Sequence, residues 1–271
     1  MTLGDFLDEI NELLPPKTAM QGDRIGLQVQ SSNIDFSKAL VALEVTETVI
    51  AEAISKNCEL IVTFHPLIWQ ALLSINSDER VGNLVTKIIQ NSISLFSIHT
   101  TFDSYSEGTS KIISNLLGLE FIDFLVPSQT NENCGMGVIG QFAIPVFPDH
   151  FLDIISNSFG GPLRFARGSA KGIKTVAIVG GSGTSFIDDA LAKNVDAFIT
   201  ADISYHQFHK AEGKLWLVDP GHYEMEQFVP EHLAKLLNDK FQSKAVFLKS
   251  ETITNPVYYY PKYEKINYQK I

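Results

Sequence analysis

The stretch ALVALEVTETVIAEAISKNCELIVTFHPLIW, residues 39–69, shows how this chain is built. An apolar run of strand length (39–45) is followed by a helical pattern (46–57) and then by a second apolar run (59–64). Both runs are nearly continuous rather than alternating, as in strands that are covered on both faces. We predict a strand–helix–strand unit with parallel pairing, in which Thr46 caps the helix.

The same alternation continues along the chain. Later apolar runs of strand length lie at 94–99, 175–180, 197–201, 215–219 and 245–249, and helical patterns lie at 80–92, 185–194 and 225–241. Between them, an extended segment (137–145) and a short helix closed by glycines (149–161) interrupt the rhythm. The pattern predicts an α/β fold with mainly parallel sheets flanked by helices, divided into two fused lobes at 1–125 and 126–271.

Composition argues against several classes of protein. The 271 residues are 45% hydrophobic and 19% charged, which is ordinary for a globular chain. A formal net charge of -10 and a pI of about 5.1 are a poor match for nucleic acid. The N-terminal segment MTLGDFLDEINELL is typical of an amphipathic helix rather than a signal peptide, and we expect no membrane span. The two cysteines, Cys58 and Cys134, form no CxxC motif and fit a reducing compartment, so we expect a cytoplasmic protein.

Several histidines follow predicted strands. In α/β proteins, functional groups gather just beyond the C-terminal ends of the strands. Four of the seven histidines occupy such positions here, namely His65, His99, His206 and His222. His65 taken alone fits either a core imidazole bonded to a backbone carbonyl, or a metal ligand or catalytic base.

His222 and Glu226 are four residues apart in PGHYEMEQF. If a helix begins near His222, both side chains lie on one face of it. An imidazole and a carboxylate so placed can hold one metal ion, or the carboxylate can bridge two. The alternative is an acid favoured by the helix dipole, with the histidine as a cap.

His99 and Asp103 occur in SIHTTFDSYSEGTS. In one interpretation Asp103, Ser104 or Ser106 caps the helix that follows. In the other, Asp103 is an oxygen ligand beside His65. Histidine nitrogens combined with carboxylate oxygens are typical of Zn, Fe or Mn sites.

Two further motifs allow alternative interpretations. VGGSGTSF (179–186) fits a phosphate cradle at a helix N-terminus, but it is neither GxGxxG nor a P-loop, so a plain tight turn is the alternative. A nucleotide-cofactor fold built on this turn would bind a dinucleotide and no metal. SYHQFHKAE places His206 and His209 three apart, which suits one histidine in a pocket wall and one on the surface.

The C-terminal tail, NPVYYYPKYEKINYQKI (255–271), is rich in tyrosine. Tyrosine rings bury a large apolar area while keeping a polar tip in reach of water. The tail therefore suits a cover over the protein's own core, and packing on a neighbouring subunit is the alternative.

Together these motifs resemble one family, the GTP cyclohydrolase I type 2 homologues, also called the NIF-three-like dinuclear-metal proteins. The resemblance covers essentially the whole chain in order, and it is to the short form without an inserted domain. Six segments carry it: GDRIGLQV (22–29), LIVTFHPLIW (60–69), HTTFD (99–103), VAIVGGSG (176–183), ITADISYHQF (199–208) and PGHYEMEQF (220–228).

The resemblance implies a two-lobed α/β fold with a metal pair in a cleft at the C-terminal ends of the strands, and a toroidal homohexamer. It places His65, Asp103 and Glu226 on the ligands of one metal ion. His222 and Glu226 fall on ligands of the second ion, with Glu226 bridging, and His99 lies beside the pair. We therefore expect a divalent metal, Zn, Fe or Mn, at one or two ions per chain.

The chain departs from the family pattern at Phe64. The family has two adjacent histidines where this chain has Phe64 before His65. The missing imidazole belongs to the second metal, so that site keeps His222 and Glu226 and recruits His99 or water. We expect this departure to affect the occupancy of the second site.

The function that the resemblance implies is metal-dependent hydrolysis of a nucleotide or another small phosphate- or purine-bearing molecule. The metal would lower the pKa of a bound water and polarise the attacked bond. Tyr223, His99 or His206 would position the substrate or move a proton. The alternative is a non-catalytic metal-binding scaffold or regulator, which the departure at Phe64 favours.

Overall fold

A computed structural model describes the chain up to residue 260, with the exception of residue 130. The described residues form two compact units: unit 1 contains Met1–Tyr105 and Phe228–Thr254, and unit 2 contains Ser106–Gln227 and residues 255–260. The part of the tyrosine-rich tail beyond residue 260 lies outside the described residues. In the part of the chain that is described, every helix is too short or too polar to cross a lipid bilayer.

Unit 1 is built on one five-stranded sheet. Its strands are β1 (Gly26–Val29), β2 (Lys38–Ala42), β3 (Leu60–Thr63), β4 (Ser94–Ser97) and β11 (Val246–Lys249). They lie in the order β1-β4-β3-β2-β11, and all neighbours pair in parallel except β1 and β4. The parallel strand–helix–strand arrangement predicted for residues 39–69 is confirmed.

Helices cover this sheet. They are α1 (Leu3–Leu13), α2 (Glu47–Ser55), α3 (Arg80–Gln90), α4 (Thr100–Asp103) and α10 (Val229–Phe241). The α2 helix begins as predicted, because Oγ1 of Thr46 accepts a hydrogen bond from the Val49 amide at 3.1 Å. Every residue of β3 and β4 is buried, as the continuous apolar runs indicate.

Residues 229–249 return to unit 1, although the predicted boundary at 125/126 assigned them to the second lobe. The β11 strand pairs in parallel with β2, beyond the edge of the strand–helix–strand unit. An aromatic cluster holds this return in place, because the rings of Phe241 and Phe247 both lie 5.3–6.0 Å from the ring of Phe6 in α1. Burying each of these rings contributes roughly 1.5–3 kcal/mol.

Unit 2 is built on a six-stranded mixed sheet. Its strands are β5 (Glu120–Pro127), β6 (Gly135–Val146), β7 (Arg164–Ala166), β8 (Ile173–Ile178), β9 (Ala197–Ile199) and β10 (Trp216–Asp219). They lie in the order β5-β6-β8-β9-β10-β7. Among these strands, parallel pairing joins β8 to β9 and β9 to β10, whereas β5, β6 and β7 join the sheet by antiparallel pairing. The predicted dominance of parallel strands therefore describes the sheet of unit 1 and the centre of the sheet of unit 2.

The helices described in unit 2 are α5 (Thr109–Leu116), α6 (Pro148–Phe159), α7 (Ile187–Ala192), α8 (Tyr205–Ala211) and α9 (His222–Glu226). Most of them are short, with α6 as the exception. The helical pattern predicted at 225–241 is divided between α9 and α10. Pro230 explains the break, because a proline ring clashes with the carbonyl four residues earlier, which here belongs to Glu226.

Candidate metal centre

Three side chains of unit 1 follow parallel strands at the same edge of the sheet. Glu44 follows β2, His65 follows β3 and His99 follows β4. Backbone bonds continue the pairing past the strand ends, since the His65 amide donates to the Leu43 carbonyl and the His99 amide to the Phe64 carbonyl, both at 2.9 Å. The sheet register therefore brings the imidazoles of His65 and His99 together, with ring centroids 5.5 Å apart.

His65 is oriented by a carboxylate. Its Nδ1 lies 2.9 Å from Oε1 of Glu44. In a neutral imidazole this bond places the proton on Nδ1 and the lone pair on Nε2, which is the arrangement of a metal-binding histidine backed by a carboxylate. The alternative of a core imidazole bonded through Nδ1 to a backbone carbonyl does not describe His65.

His99 is held in the same way by Asp23. Its Nδ1 lies 2.6 Å from Oδ1 of Asp23, and the Thr100 amide donates to Oδ2 of the same carboxylate at 3.2 Å. Burial alone raises the pKa of Asp23, but its hydrogen bonds with His99 and Thr100 outweigh that effect and lower the pKa to about 2. Asp23 is therefore an anion near neutral pH, and its hydrogen bond with Nδ1 fixes the orientation of the His99 ring.

Asp103 ends the single turn of α4, one turn after His99. His99 itself has a φ of 40°, which turns the chain abruptly from strand into helix. The next helix, α5, begins at Thr109 with Gly108 as its N-cap. None of Asp103, Ser104 and Ser106 therefore caps that helix, and the ligand role of Asp103 stays a prediction.

Phe64 is buried among aromatic rings. It is 1% exposed, and its ring centroid lies 4.9 Å from that of His65 and 5.7 Å from that of His99. The ring of Phe102 packs against it from α4 at 6.5 Å. Where the family motif has a second imidazole, this chain thus presents an apolar wall behind the two histidines.

In unit 2, His222 lies between two carboxylates. Its Nδ1 is 2.7 Å from Oδ2 of Asp202, which follows β9, and its Nε2 is 3.0 Å from Oε2 of Glu226. The α9 helix begins at His222, so the predicted spacing of four places both side chains on one face. Glu226 is only 2% exposed, and a carboxylate so deeply buried needs a cationic partner.

The electrostatics of His222 favour a cation. Burial alone lowers the pKa of His222, but its hydrogen bonds with Asp202 and Glu226 and their negative charges raise that pKa to about 11. The bond from His222 in turn lowers the pKa of Asp202, and this effect exceeds the opposing effect of partial desolvation. The field that holds a proton on His222 equally favours a divalent ion, and such an ion displaces the proton when it binds.

The glycine-rich turn lies directly against the carboxylate of Glu226. A Cβ atom on Gly181 would overlap Oε1 of Glu226 and lie 3.3 Å from Cε1 of His222, so only glycine lets the backbone approach the carboxylate this closely. The amide of Gly180 donates to Oγ of Ser110, and the amide of Gly183 donates to Oγ1 of Thr200. Two amides of the turn therefore donate to protein oxygens, which agrees with the interpretation as a plain tight turn.

Two further predicted residues, His206 and Tyr223, lie on α8 and α9 of unit 2. His206 and His209 are both exposed on α8, where their rings contact Tyr205. Tyr223 is partly buried at the start of α9, and burial together with the charge of Glu224 raises its pKa. The structure supports Tyr223 as a protonated hydrogen-bond donor, whereas it gives His206 only a surface position.

Three carboxylates that bind the Nδ1 atoms of the histidines were not among the predicted site residues. They are Glu44, Asp23 and Asp202. Asp23 and Asp202 lie inside segments that resemble the family, but those segments do not indicate which histidine each acid binds. Glu44 lies outside the six segments, and no motif marks it as a site residue. The resulting set of imidazole nitrogens and carboxylate oxygens fits Zn, Fe or Mn.

Comparisons with known proteins show the family to which the chain belongs. The family model described as Duf34/NIF3 (NGG1p interacting factor 3) matches residues 1–256. The GTP cyclohydrolase 1 type 2 homolog of Clostridium perfringens is 30% identical over 259 residues, covering 94% of this chain and 98% of the relative. The protein of the same name from Streptococcus pneumoniae is 31% identical over 268 residues, covering 96% and 100%. The crystal structure of the Staphylococcus aureus hypothetical protein SA1388 superposes with a TM-score of 0.88 at 25% identity, covering 96% of this chain and 99% of that one.

Proposed function

The chain belongs to the DUF34/NIF3 family, and on that premise we propose that it binds a divalent metal ion and hydrolyses a nucleotide or another small phosphate- or purine-bearing molecule. One observation carries the proposal. Each of the three histidines at the strand ends, His65, His99 and His222, has a carboxylate on its Nδ1. Imidazoles that bind metal ions are almost always held in this way, because the carboxylate fixes the tautomer and raises the basicity of Nε2.

The proposed ligands are those predicted from the sequence. They are His65 and Asp103 in unit 1, and His222 and Glu226 in unit 2. A divalent ion on such ligands supplies a water of lowered pKa and a Lewis acid for the attacked bond. The proposal covers Zn, Fe and Mn together, because histidine nitrogens and carboxylate oxygens suit all three metals.

The residues around the ligands have separate roles. Asp23 holds the Nδ1 side of His99, so the Nε2 side of that ring is the one placed to accept or donate a proton. Burial and the charge of Glu224 raise the pKa of Tyr223, so its hydroxyl stays protonated and can donate a hydrogen bond to a substrate oxygen. We give His206 the weakest role, that of an exposed side chain that contacts substrate at the rim.

Metal analysis tests the ligand set. Element-resolved counting of metal per chain in protein never exposed to chelator should show a loss of metal in His222→Ala and His65→Ala. His209→Ala is the matched control, because His209 also pairs with a carboxylate, Glu212 at 3.2 Å, but lies exposed on α8. An unchanged metal count in both ligand variants would refute the metal site.

A hydrolysis panel tests the reaction. Nucleotides and phosphoesters incubated with the metal-loaded protein should be turned over, and Glu226→Ala should abolish turnover while the protein stays folded. The second candidate function is a non-catalytic metal-binding scaffold or regulator, which the buried ring of Phe64 favours because it removes one imidazole. Bound metal without turnover of any member of the panel would support that alternative.

The proposal also includes assembly and location. We propose a homo-oligomer, with the toroidal hexamer implied by the resemblance, in the cytoplasm. The thiols of Cys58 and Cys134 are both buried and are not joined by a disulfide, which suits a reducing compartment. Mass measurement by light scattering tests the assembly, and a single-chain mass would contradict it.

A further inference from the structure

The α9 helix, which carries His222 and Glu226, has only five residues. A helix this short does not hold its own conformation, because nucleation costs more than one turn of hydrogen bonds returns. Its position therefore depends on the contacts that its side chains make with the rest of unit 2. One of those side chains, Glu224, lies between the two proposed ligands and is used by neither.

Glu224 is a buried carboxylate held by the C-terminal segment. It is 8% exposed. Its Oε1 accepts a hydrogen bond from Nδ2 of Asn255 at 3.3 Å, and its carboxylate accepts a second from the hydroxyl of Tyr259. A buried carboxylate that loses such donors pays a desolvation penalty, so these bonds tie α9 to the segment.

The backbone at the start of α9 fits around the same contact. Gly221 has a φ of 102°, and a Cβ atom there would overlap Oε2 of Glu224 and lie 3.1 Å from the Tyr259 hydroxyl. Only a glycine therefore allows the carboxylate and the phenol to close over the residue that precedes His222. The contact sits directly against the end of α9 that carries the imidazole.

A hydrogen bond within the C-terminal segment fixes the turn that precedes Tyr259. In this bond, Oδ1 of Asn255 accepts from the Val257 amide at 2.9 Å. Of three consecutive tyrosines, the outer two are 91% and 98% exposed, whereas Tyr259 between them is 39% exposed. The hydroxyl of the middle tyrosine bonds Glu224, and this residue lies beyond residue 256, where the match to the family model ends.

We propose that residues 255–260, here called the C-terminal strap, position the metal-binding helix α9, with Asn255 and Tyr259 as positioning residues that act through Glu224. The consequence for metal affinity rests on the proposed function. The consequence for the helix does not, because Glu224 and the strap are in contact whether or not a metal binds.

Hydrogen exchange on metal-free protein tests the effect on the helix. In Tyr259→Phe, which removes only the hydroxyl, and in Asn255→Ala, the amides of residues 222–227 should exchange faster than in the unmodified chain. Tyr258→Phe and Tyr260→Phe are matched controls, since each removes one hydroxyl from an exposed neighbour. Exchange in Tyr259→Phe equal to that in the two controls overturns the proposal.

Cobalt titration tests the effect on the metal centre. Tyr259→Phe should weaken Co²⁺ binding about tenfold and alter the visible ligand-field spectrum, because the helix that carries two proposed ligands loses a bond that positions it. Glu224→Gln keeps an acceptor for the Tyr259 hydroxyl, so it should retain most of the Co²⁺ affinity, whereas Glu224→Ala should lose it. A purely structural tail would leave the spectrum unchanged, and that result counts against the strap.

The two proposals fail in different ways. If the unmodified chain binds no Co²⁺, the proposed function fails and the strap is judged on exchange alone. If Co²⁺ binds equally well in Tyr259→Phe and Tyr258→Phe, with equal exchange, the metal site stands and the strap is refuted.

Discussion

Nδ1 of His222 lies 2.7 Å from Oδ2 of Asp202, a residue twenty positions earlier that reaches this place with a left-handed φ of 57°. Non-glycine residues adopt such a φ at a cost, and those that do are concentrated at functional sites. The same relation of Nδ1 to carboxylate recurs at His65 and His99. The proposed metal chemistry therefore depends on histidine–carboxylate pairs rather than on single histidines.

Removing the partner of His222 should weaken metal binding without unfolding unit 2. We expect Asp202→Ala to reduce metal affinity by about 10- to 100-fold, because an outer carboxylate orients the ring and raises its basicity. Competition against a chelator of known affinity measures the change. Asp188→Ala is the control, since Asp188 is an exposed acid paired with Lys210 on the surface, and equal affinity in the two variants would contradict the role of Asp202.

A side chain at Gly181 should disturb Glu226. Gly181→Ala introduces a Cβ atom that overlaps Oε1 of Glu226, at a residue whose φ is 59°. We expect metal affinity to fall at least about tenfold as the carboxylate is displaced. Gly213→Ala separates backbone strain from the clash, because Gly213 has a φ of 71° with nothing within 4 Å of the new atom. Both variants should lose about 1–2 kcal/mol of stability, and only the first should lose metal.

Restoring the missing imidazole should raise the metal content. In Phe64→His we expect the element count per chain to move from about one toward two, with a stability loss of roughly 3 kcal/mol from the buried ring. Phe96→His is matched in burial and chemistry, but its ring packs on Phe6 away from the histidines. A metal count that stays the same in Phe64→His would mean that the second site is not limited by this ligand.

The lowered pKa of Glu52 should make the stability of the protein depend on pH. Burial raises the pKa of this carboxyl, but hydrogen bonds from Lys56, Ser250, the Glu251 amide and Thr252 lower it from 4.5 to about 2. Because the folded pKa is depressed, the stabilisation is complete above the unfolded pKa and is lost as the pH falls from about 4.5 toward 2.

Urea unfolding at a series of pH values checks this expectation. The unmodified chain should be more stable than Glu52→Gln by roughly 1–3 kcal/mol at neutral pH, and the difference should shrink below pH 4.5. Glu12→Gln, which alters an exposed acid on α1, is the control and should follow the unmodified chain at every pH. A difference that stays constant down to pH 2.5 would contradict the assigned pKa.

Local pattern was enough for much of the fold. The continuous apolar runs predicted the buried strands β2, β3 and β4, and the threonine cap of α2 lies where the sequence indicated. The spacing of four correctly placed His222 and Glu226 on one short helix. These features depend on neighbours within a few residues, which is the range over which hydropathy and helix periodicity carry information.

Other features depended on contacts that no local pattern encodes. The return of β11 to unit 1 rests on its pairing with β2 and on the cluster around Phe6. The partners Glu44 and Asp23 lie 21 and 76 residues from their histidines. Such pairings follow from sheet register and from where loops return, and a sequence read along its length does not contain either.

By itself, then, the sequence determined the strand-and-helix alternation, the family, and the presence of histidines and acids at strand ends. Tertiary structure decided which carboxylate holds each imidazole, how closely Gly181 approaches Glu226, and that Tyr259 reaches Glu224. The physical reason is that residue type sets which interactions are available, whereas the distances that make a hydrogen bond or a clash arise only when separate segments pack together.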